Sequence, residues 1–366
     1  MQTQILTQLC SLPTAPFAER YVADYVRKFV AARPRLRLTS DAHGNLLIQL
    51  PGTKKRLPRW IFTAHMDHPG FVATRMIDRR TMEAAFRGYV LGEYFDGEKV
   101  RFFDRRREIA AVVLSHVDGK DRAVPVKAVL RVAEPIPAGA PGMWDQGAGR
   151  VVAGKFYSRV CDDLAGAAAA LQMLDDLCKR PLAATIGLLL TRAEEEGFIG
   201  AIAASVKPRL LRKSDRLIAI ECSAMQPFAP QGKGAIIRIG DRTSVFNSSL
   251  SYFLSQQAAK LAKKDRHFKH QRALMPGGTC EATVYDVYGF HAASICVALG
   301  NYHNMNAAKK RIAPEFIDVN DWKSMVKLFI QIARQGHTYE PGHVELKRRL
   351  EKRFGKWKRW LQTSQV

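Results

Sequence analysis

The chain has 366 residues, 47% of them hydrophobic and 25% charged, which fits a soluble globular protein of one large or two smaller domains. No apolar run reaches the roughly 20 residues of a membrane span, and Met1 to Leu12 has no basic stretch leading into an apolar core, so the expected location is cytoplasmic. The six cysteines are scattered without a Cys-x-x-Cys pair, which argues against a zinc ribbon or a disulfide framework. Lys and Arg number 57 against 34 Asp and Glu, a net charge of +23. Such an excess is open to nucleic acid, an acidic membrane surface, acidic substrates or a merely basic surface, and says nothing about fold.

In chain order, residues 1–32 predict helix, because Leu6, Leu9, Phe17, Tyr21, Val22, Tyr25, Val26 and Phe29 recur at three- and four-residue steps around Pro13 and Pro16. Asn45–Leu50 and the continuous apolar run Trp60–Ala64 predict strands. Between about Pro69 and Lys155 the character changes to short β-rich runs, Phe71–Ile77, Ala85–Leu91, Lys99–Phe103, Ile109–His116 and Val126–Val132, separated by charged or turn residues. This spacing predicts a small barrel or sandwich, closed by the Pro/Gly-rich stretch Pro135–Gly142. From Asp163 onward helix and strand alternate: an Ala/Leu helix to Lys179, strand Ala184–Leu190, helix Ile199–Val206, strands Arg216–Glu221 and Ile236–Ile239, helix Ser249–Lys264, strand Ala292–Leu299 and helix Trp322–Arg334. The expected fold is therefore α/β, with a discontinuous α/β domain (1–68 and 156–340), a β-rich insertion (69–155) and a basic amphipathic extension (341–366).

Acids and histidines stand at the ends of the apolar runs. His65-Met66-Asp67 follows one strand; on a strand, positions i and i+2 share a side, so Asp67 can orient His65, although a satisfied strand-end histidine looks the same. Asp162-Asp163 precedes a helix, as a plain N-cap would. Glu194-Glu195-Glu196 is harder to explain as a solvated loop, since adjacent glutamates repel. Beside a dication, one could bind metal while its neighbour takes a proton from water. Glu221 ends a further strand, and His303 lies in Gly300-Asn301-Tyr302-His303-Asn304.

Each motif alone is weak, but the ordered set resembles the co-catalytic di-metal peptidases of clan MH, most closely the glutamyl/tetrahedral aminopeptidase family. That family's His-x-Asp, Asp-Asp/Asn, Glu-Glu-x-Gly with Gly-Ala, strand-end Asp, Gly-Gly-Thr-Asp and late His read here as His65-Met66-Asp67, Asp162-Asp163, Glu194-Glu195-Glu196-Gly197 with Gly200-Ala201, Glu221, Gly277-Gly278-Thr279-Cys280 and His303. The early turn Asp41-Ala42-His43-Gly44-Asn45 and the β-rich insertion also match. The resemblance implies a Rossmann-like α/β/α zinc-peptidase domain carrying an inserted small β-barrel that helps form homo-oligomers. It implies two divalent ions, zinc or else cobalt or manganese: His65 and Glu221 on one, Glu195 and His303 on the other, Asp162 bridging. Glu194 would be the general base, Asp67 would orient His65, and a shared hydroxide would attack the carbonyl of a peptide substrate. Three positions depart from the pattern: Glu221 replaces Asp, Cys280 replaces the Asp of Gly-Gly-Thr-Asp, and Cys161 replaces an aliphatic residue.

Two other functions fit the residues: an N-acyl amino acid or small-amide deacylase of the same clan, and a non-catalytic scaffold binding nucleic acid or membrane through its basic surface. The resemblance does not cover the C-terminal segment, where Leu346, Leu350, Phe354, Trp357 and Leu361 step by three or four residues among many Lys and Arg. That segment could dock on the body or another subunit, or attach to a membrane surface or nucleic acid.

Overall fold

The computed structural model describes residues 3–120 and 124–363. Residues 1–2 of the expected N-terminal helix, 121–123 of the expected insertion and 364–366 of the expected tail lie outside them. The chain opens with α1 (Gln4–Cys10) and α2 (Arg20–Ala31), then β1 (Arg37–Ser40), β2 (Leu46–Leu50) and β3 (Trp60–His65). Six strands follow: β4 (Gly70–Met76), β5 (Thr81–Arg87), β6 (Lys99–Asp104), β7 (Arg107–Asp118), β8 (Pro125–Val132) and β9 (Pro141–Trp144). They close into a barrel in the order β4-β5-β8-β7-β6-β9. Its interior holds Phe71, Phe86, Phe95, Phe102 and Trp144, a core separate from the main one.

After the barrel come β10 (Arg150–Val152), β11 (Lys155–Ser158), α3 (Leu164–Leu177), β12 (Ile186–Thr191), α4 (Ile199–Val206), β13 (Arg216–Ala224) and β14 (Ala235–Gly240). Then follow α5 (Ser248–Lys264), β15 (His270–Leu274), α6 (Glu281–Val287), β16 (His291–Leu299), β17 (Met305–Asn306), β18 (Arg311–Ile312), β19 (Glu315–Asp318), α7 (Val319–Gln335) and α8 (Val344–Thr363).

The central sheet runs β1-β2-β12-β3-β13-β16-β14-β15. Its middle strands β12, β3, β13 and β16 are mutually parallel, while β2 and β14 join them antiparallel. Helices cover both faces. Trp60, Phe62 and Ala64 of β3 pack into the core built with α1, α2, α3, α5 and α7, whereas Ile61 faces the core built with α4 and α6. A strand buried on both faces has no solvent side and reads as a nearly continuous apolar run, which is why Trp60–Ala64 shows no alternation, Thr63 being its one polar member.

The α/β/α sandwich with an inserted barrel agrees with the sequence expectation; several boundaries moved. The strand expected at Ala85–Leu91 is β5 at Thr81–Arg87; Val90 is buried, but in a loop leaving the barrel. The Pro/Gly-rich stretch contains the start of β9, a barrel strand. β10 pairs with β11, and β11 with β19, outside the barrel. β15 was not anticipated because it lies within a basic run without apolar alternation, and α6 because it has only seven residues. No helix among the described residues is long and apolar enough to cross a membrane.

Candidate metal centre

The parallel strands bring the acids and histidines together at their carboxyl ends, where an open α/β sheet leaves backbone unpaired and loops free to vary. His65 is the last residue of β3 and pairs with Thr191, the last residue of β12. Glu194–Glu196 form a short 3-10 turn just beyond β12, Glu221 lies in β13 opposite Cys296 of β16, and His303 sits in a 3-10 turn after β16. Asp162 enters from the segment between β11 and α3.

Asp162 divides its two carboxylate oxygens between the two histidines: Oδ1 is 3.5 Å from His65 Nε2 and Oδ2 is 3.9 Å from His303 Nε2. Glu195 Oε1 is 3.3 Å from His303 Nε2, and Glu194 Oε2 is 4.0 Å from His65 Nε2. Among the described residues three groups could hold a cation, the ligand atoms of each all within 4.8 Å of one another: His65, Asp162 and Glu221; Asp162, Glu195 and His303; His65, Glu194 and Glu195. Both histidines are set for this. His65 Nδ1 donates to the Asp67 carbonyl at 3.1 Å and His303 Nδ1 to the Tyr89 carbonyl at 2.7 Å. A carbonyl can only accept, so each Nδ1 carries the proton and each Nε2 faces the site. Asp162 Oδ1 and Glu195 Oε1 are buried without a hydrogen-bond partner among the described residues, and buried carboxylate oxygens left bare call for a cation. The donor set therefore fits divalent metal.

The electrostatics point the same way. Burial opposes charge on His65, yet Glu194, Asp162 and Asp67 hold its pKa well above the ordinary imidazole range. His303 is likewise opposed by burial but pushed up to about 9, chiefly by Glu195. Burial, reinforced by Asp162, pushes Glu221 to about 8. Glu194 is raised well above the carboxylate range by burial and by Glu221, Glu195 and Asp67. Burial also acts on Asp162, but His65, His303 and His68 outweigh it and hold its carboxyl low.

The Asp67 carboxylate does more than face His65. At 3.7 Å it is farther from Nδ1 than the Asp67 carbonyl is, and its two oxygens accept the backbone N–H of Glu194 at 3.0 Å and of Glu195 at 3.1 Å. It thereby pins the glutamate turn. The turn is also held from beneath: Glu19 accepts from Ala193 N at 3.1 Å and from Arg192 Nε at 2.8 Å, and Asn45 of the early turn reaches Arg192 N and the Gly200 carbonyl. A Cβ at Gly200 would stand 2.5 Å from Arg192 backbone atoms, so only glycine lets α4 approach this closely.

Glu315 was not anticipated from the sequence. From β19 it accepts Cys161 N at 2.7 Å, Asp162 N at 3.1 Å and His303 N at 2.9 Å, tying together two segments that supply ligands. His68 spans the Asp162 carbonyl at 2.8 Å and Asn304 Oδ1 at 3.0 Å. Only residue type hinted at either: an acid in a short apolar strand, and a second imidazole three residues after His65.

A cavity of about 340 Å³ opens beside the cluster, lined by Tyr89, Phe198, Arg238, Met275, Thr279 and Tyr302 in addition to the acids and His303. Arg238 is buried, and its Nε has no hydrogen-bond partner among the described residues. Burial works against its charge, while the neighbouring acids Glu221 and Asp241 favour it. Burial pushes the thiols of Cys161 and Cys280 well up, so both stay neutral.

The family model described as M42 glutamyl aminopeptidase matches residues 44–328. Among solved structures, an aminopeptidase of the archaeon Desulfurococcus kamchatkensis superposes with a TM-score of 0.75 at 20% identity, covering 93% of this chain and 98% of that one. The TET1 peptidase of Pyrococcus horikoshii, described as assembling into a tetrahedron or a large octahedral shell, gives 0.74 at 18%, covering 90% and 98%. A TET aminopeptidase of the marine sediment archaeon Thaumarchaeota archaeon SCGC AB-539-E09 gives 0.74 at 17%, covering 91% and 96%. The curated proteins contain no match. At these identities the superpositions establish the fold, and the family match over most of the chain establishes the rest: the chain belongs to the M42 glutamyl aminopeptidase family.

Proposed function

We propose that this peptide-hydrolysing enzyme is a di-metal aminopeptidase that removes N-terminal residues from peptides. The observation that carries the reading is the division of Asp162's two oxygens between His65 and His303. His65 and Glu221 would hold one divalent ion, Glu195 and His303 the other, and Asp162 both. Imidazole with carboxylate suits zinc, with cobalt or manganese as substitutes. Bound there, the ions supply Lewis acidity, polarising the scissile carbonyl and acidifying a water molecule.

The chain's own residues do the rest. Glu194, raised by burial above the ordinary carboxylate range and set beside His65, would take the proton from the attacking water and pass it to the leaving amine. Asp67 keeps Glu194 and Glu195 in place through their backbone N–H groups. The cavity wall of Tyr89, Phe198 and Met275 receives the first side chain and excludes water.

We further propose that the segment 69–155, with the barrel strands at 70–144, is a separate structural unit through which the chain forms homo-oligomers. Leu114, Val117 and Val126 on β7 and β8 are exposed, as an apolar contact between copies would require.

The test is metal content per chain by elemental analysis, wild type against Asp162→Ala, paired with hydrolysis of free-amine peptides. About two zinc-like ions per chain, lost in the variant together with hydrolysis, support the reading. A protein that takes up no metal after addition of zinc, cobalt or manganese sinks it.

A further inference from the structure

The family match ends at residue 328, and α8 lies beyond it. This helix runs without a break from Val344 to Thr363. Its first turn is moored to the body: His343 Nε2 is 3.1 Å from Ser248 Oγ, and the His343 ring packs edge-on against Tyr252. Beyond that, residues 347–362 are all exposed. Leu350 is 56% exposed, Phe354 60%, Trp357 50% and Leu361 69%, large apolar side chains that a helix belonging to the core would have covered.

Their spacing is not random. At 3.6 residues per turn, Leu346, Leu350, Phe354, Trp357 and Leu361 fall within about a quarter of the helix circumference, and no charged residue lies inside that arc. The rest of the surface carries eight Lys and Arg against two Glu between 344 and 363. An apolar stripe flanked by cations, low in overall hydrophobicity, matches one environment on both counts: the boundary between headgroups and acyl chains of an anionic bilayer. Nucleic acid would satisfy the cations but leave Leu350, Phe354, Trp357 and Leu361 in water. A second α8 laid on the stripe would bring two rows of like charge together.

We propose that α8 is a docking helix for anionic lipid surfaces, lying in the interface plane with Leu350, Phe354, Trp357 and Leu361 inserted and the Lys and Arg residues on the headgroups. Because residues 347–362 are exposed and none of them lines the metal-site cavity, this attachment is independent of the chemistry assigned to the metal centre.

The experiment is co-sedimentation of the full chain with vesicles of phosphatidylcholine alone and of equal parts phosphatidylcholine and phosphatidylglycerol. Expected is pelleting with the anionic vesicles, at least about tenfold tighter than with neutral ones, and weakened by salt. The triple variant Phe354→Ser, Trp357→Ser, Leu361→Ser should lose vesicle binding while keeping the wild-type melting temperature, since all three positions are exposed. Failure of the wild type to pellet overturns the proposal. So does undiminished pelleting of the triple variant, which would mean mere electrostatic adhesion. Preferential retention on duplex DNA or RNA with no vesicle binding overturns it in favour of nucleic acid, and a drop in oligomer size of the triple variant with no vesicle binding overturns it in favour of a second copy.

Discussion

The ring of His303, a residue of the α/β sheet's loops, donates its Nδ1–H to the carbonyl of Tyr89, in the loop leaving the barrel, at 2.7 Å. A loop of the barrel and a loop of the central sheet thus meet at one imidazole. The barrel fixes the tautomer that turns Nε2 toward Asp162 and Glu195, and Gly88 N donates to Glu196 at 2.8 Å beside it. Replacing Tyr89 with Pro should disturb this loop and its carbonyl, lowering metal affinity at the His303 side by roughly 10- to 100-fold. Calorimetric titration with zinc reads the change as one weakened site beside one unaltered site; two unaltered sites would separate the barrel from metal binding.

Removing Glu315 tests the hidden clamp. Glu315→Ala leaves three buried backbone N–H groups without their acceptor, and each costs about 1–3 kcal/mol. The expected result is a large fall in melting temperature that added metal only partly restores. Glu315→Gln keeps one acceptor oxygen, so it should fold but hold metal more weakly. A wild-type melting temperature in the alanine variant would refute the clamp.

Arg238 is a cation facing the cavity, buried and incompletely hydrogen-bonded. Substrates whose first side chain bears a carboxylate should therefore be cleaved preferentially. Arg238→Met should reduce kcat/KM for a glutamyl anilide by about 100-fold, near the worth of a charge-assisted hydrogen bond, with little loss for a leucyl anilide. Equal losses on both would make Arg238 structural.

Protons and metal compete for the same atoms. In the metal-free protein His303 titrates near 9 against an ordinary value of 6.5, and Glu221 near 8 against 4.5. The folded metal-free state therefore binds more protons than the unfolded chain between those limits, and its stability falls as pH rises through them. At pH 7 both groups must give up a proton to become ligands, so metal uptake should release protons and apparent affinity should increase with pH. Titration in buffers of differing ionisation enthalpy counts the protons; none released at pH 7 would contradict the assigned ligands.

Exchanging Asp67 for Asn leaves one acceptor for the two N–H groups of Glu194 and Glu195. The glutamate turn should loosen, with kcat down about 10- to 100-fold while the fold persists. An unchanged kcat would show that α4 and Glu19 hold the turn without Asp67.

The ligand residues were legible in the sequence because strands buried on both faces are nearly continuous apolar runs, so an acid or imidazole where such a run stops stands out. His65, Glu194, Glu195 and His303 stand at or just beyond such an end, Glu221 ends the apolar run Leu217–Ile220 although β13 itself continues to Ala224, and the change from long-period to short β-rich segments marked the inserted barrel. What supports them was not legible. Glu315 lies 153 residues from Asp162 and 12 from His303, and neither separation has a local signature. Asp67 could be read as a partner of His65, but only the approach of β12 to β3 shows its carboxylate holding the glutamate turn. Tyr89 contributes a backbone carbonyl, which no side-chain pattern encodes. Local apolar periodicity is written residue by residue, because burial acts on each side chain where it stands. Hydrogen bonds between distant segments depend on where the packed sheet and barrel place them, and that was decided only by the tertiary structure.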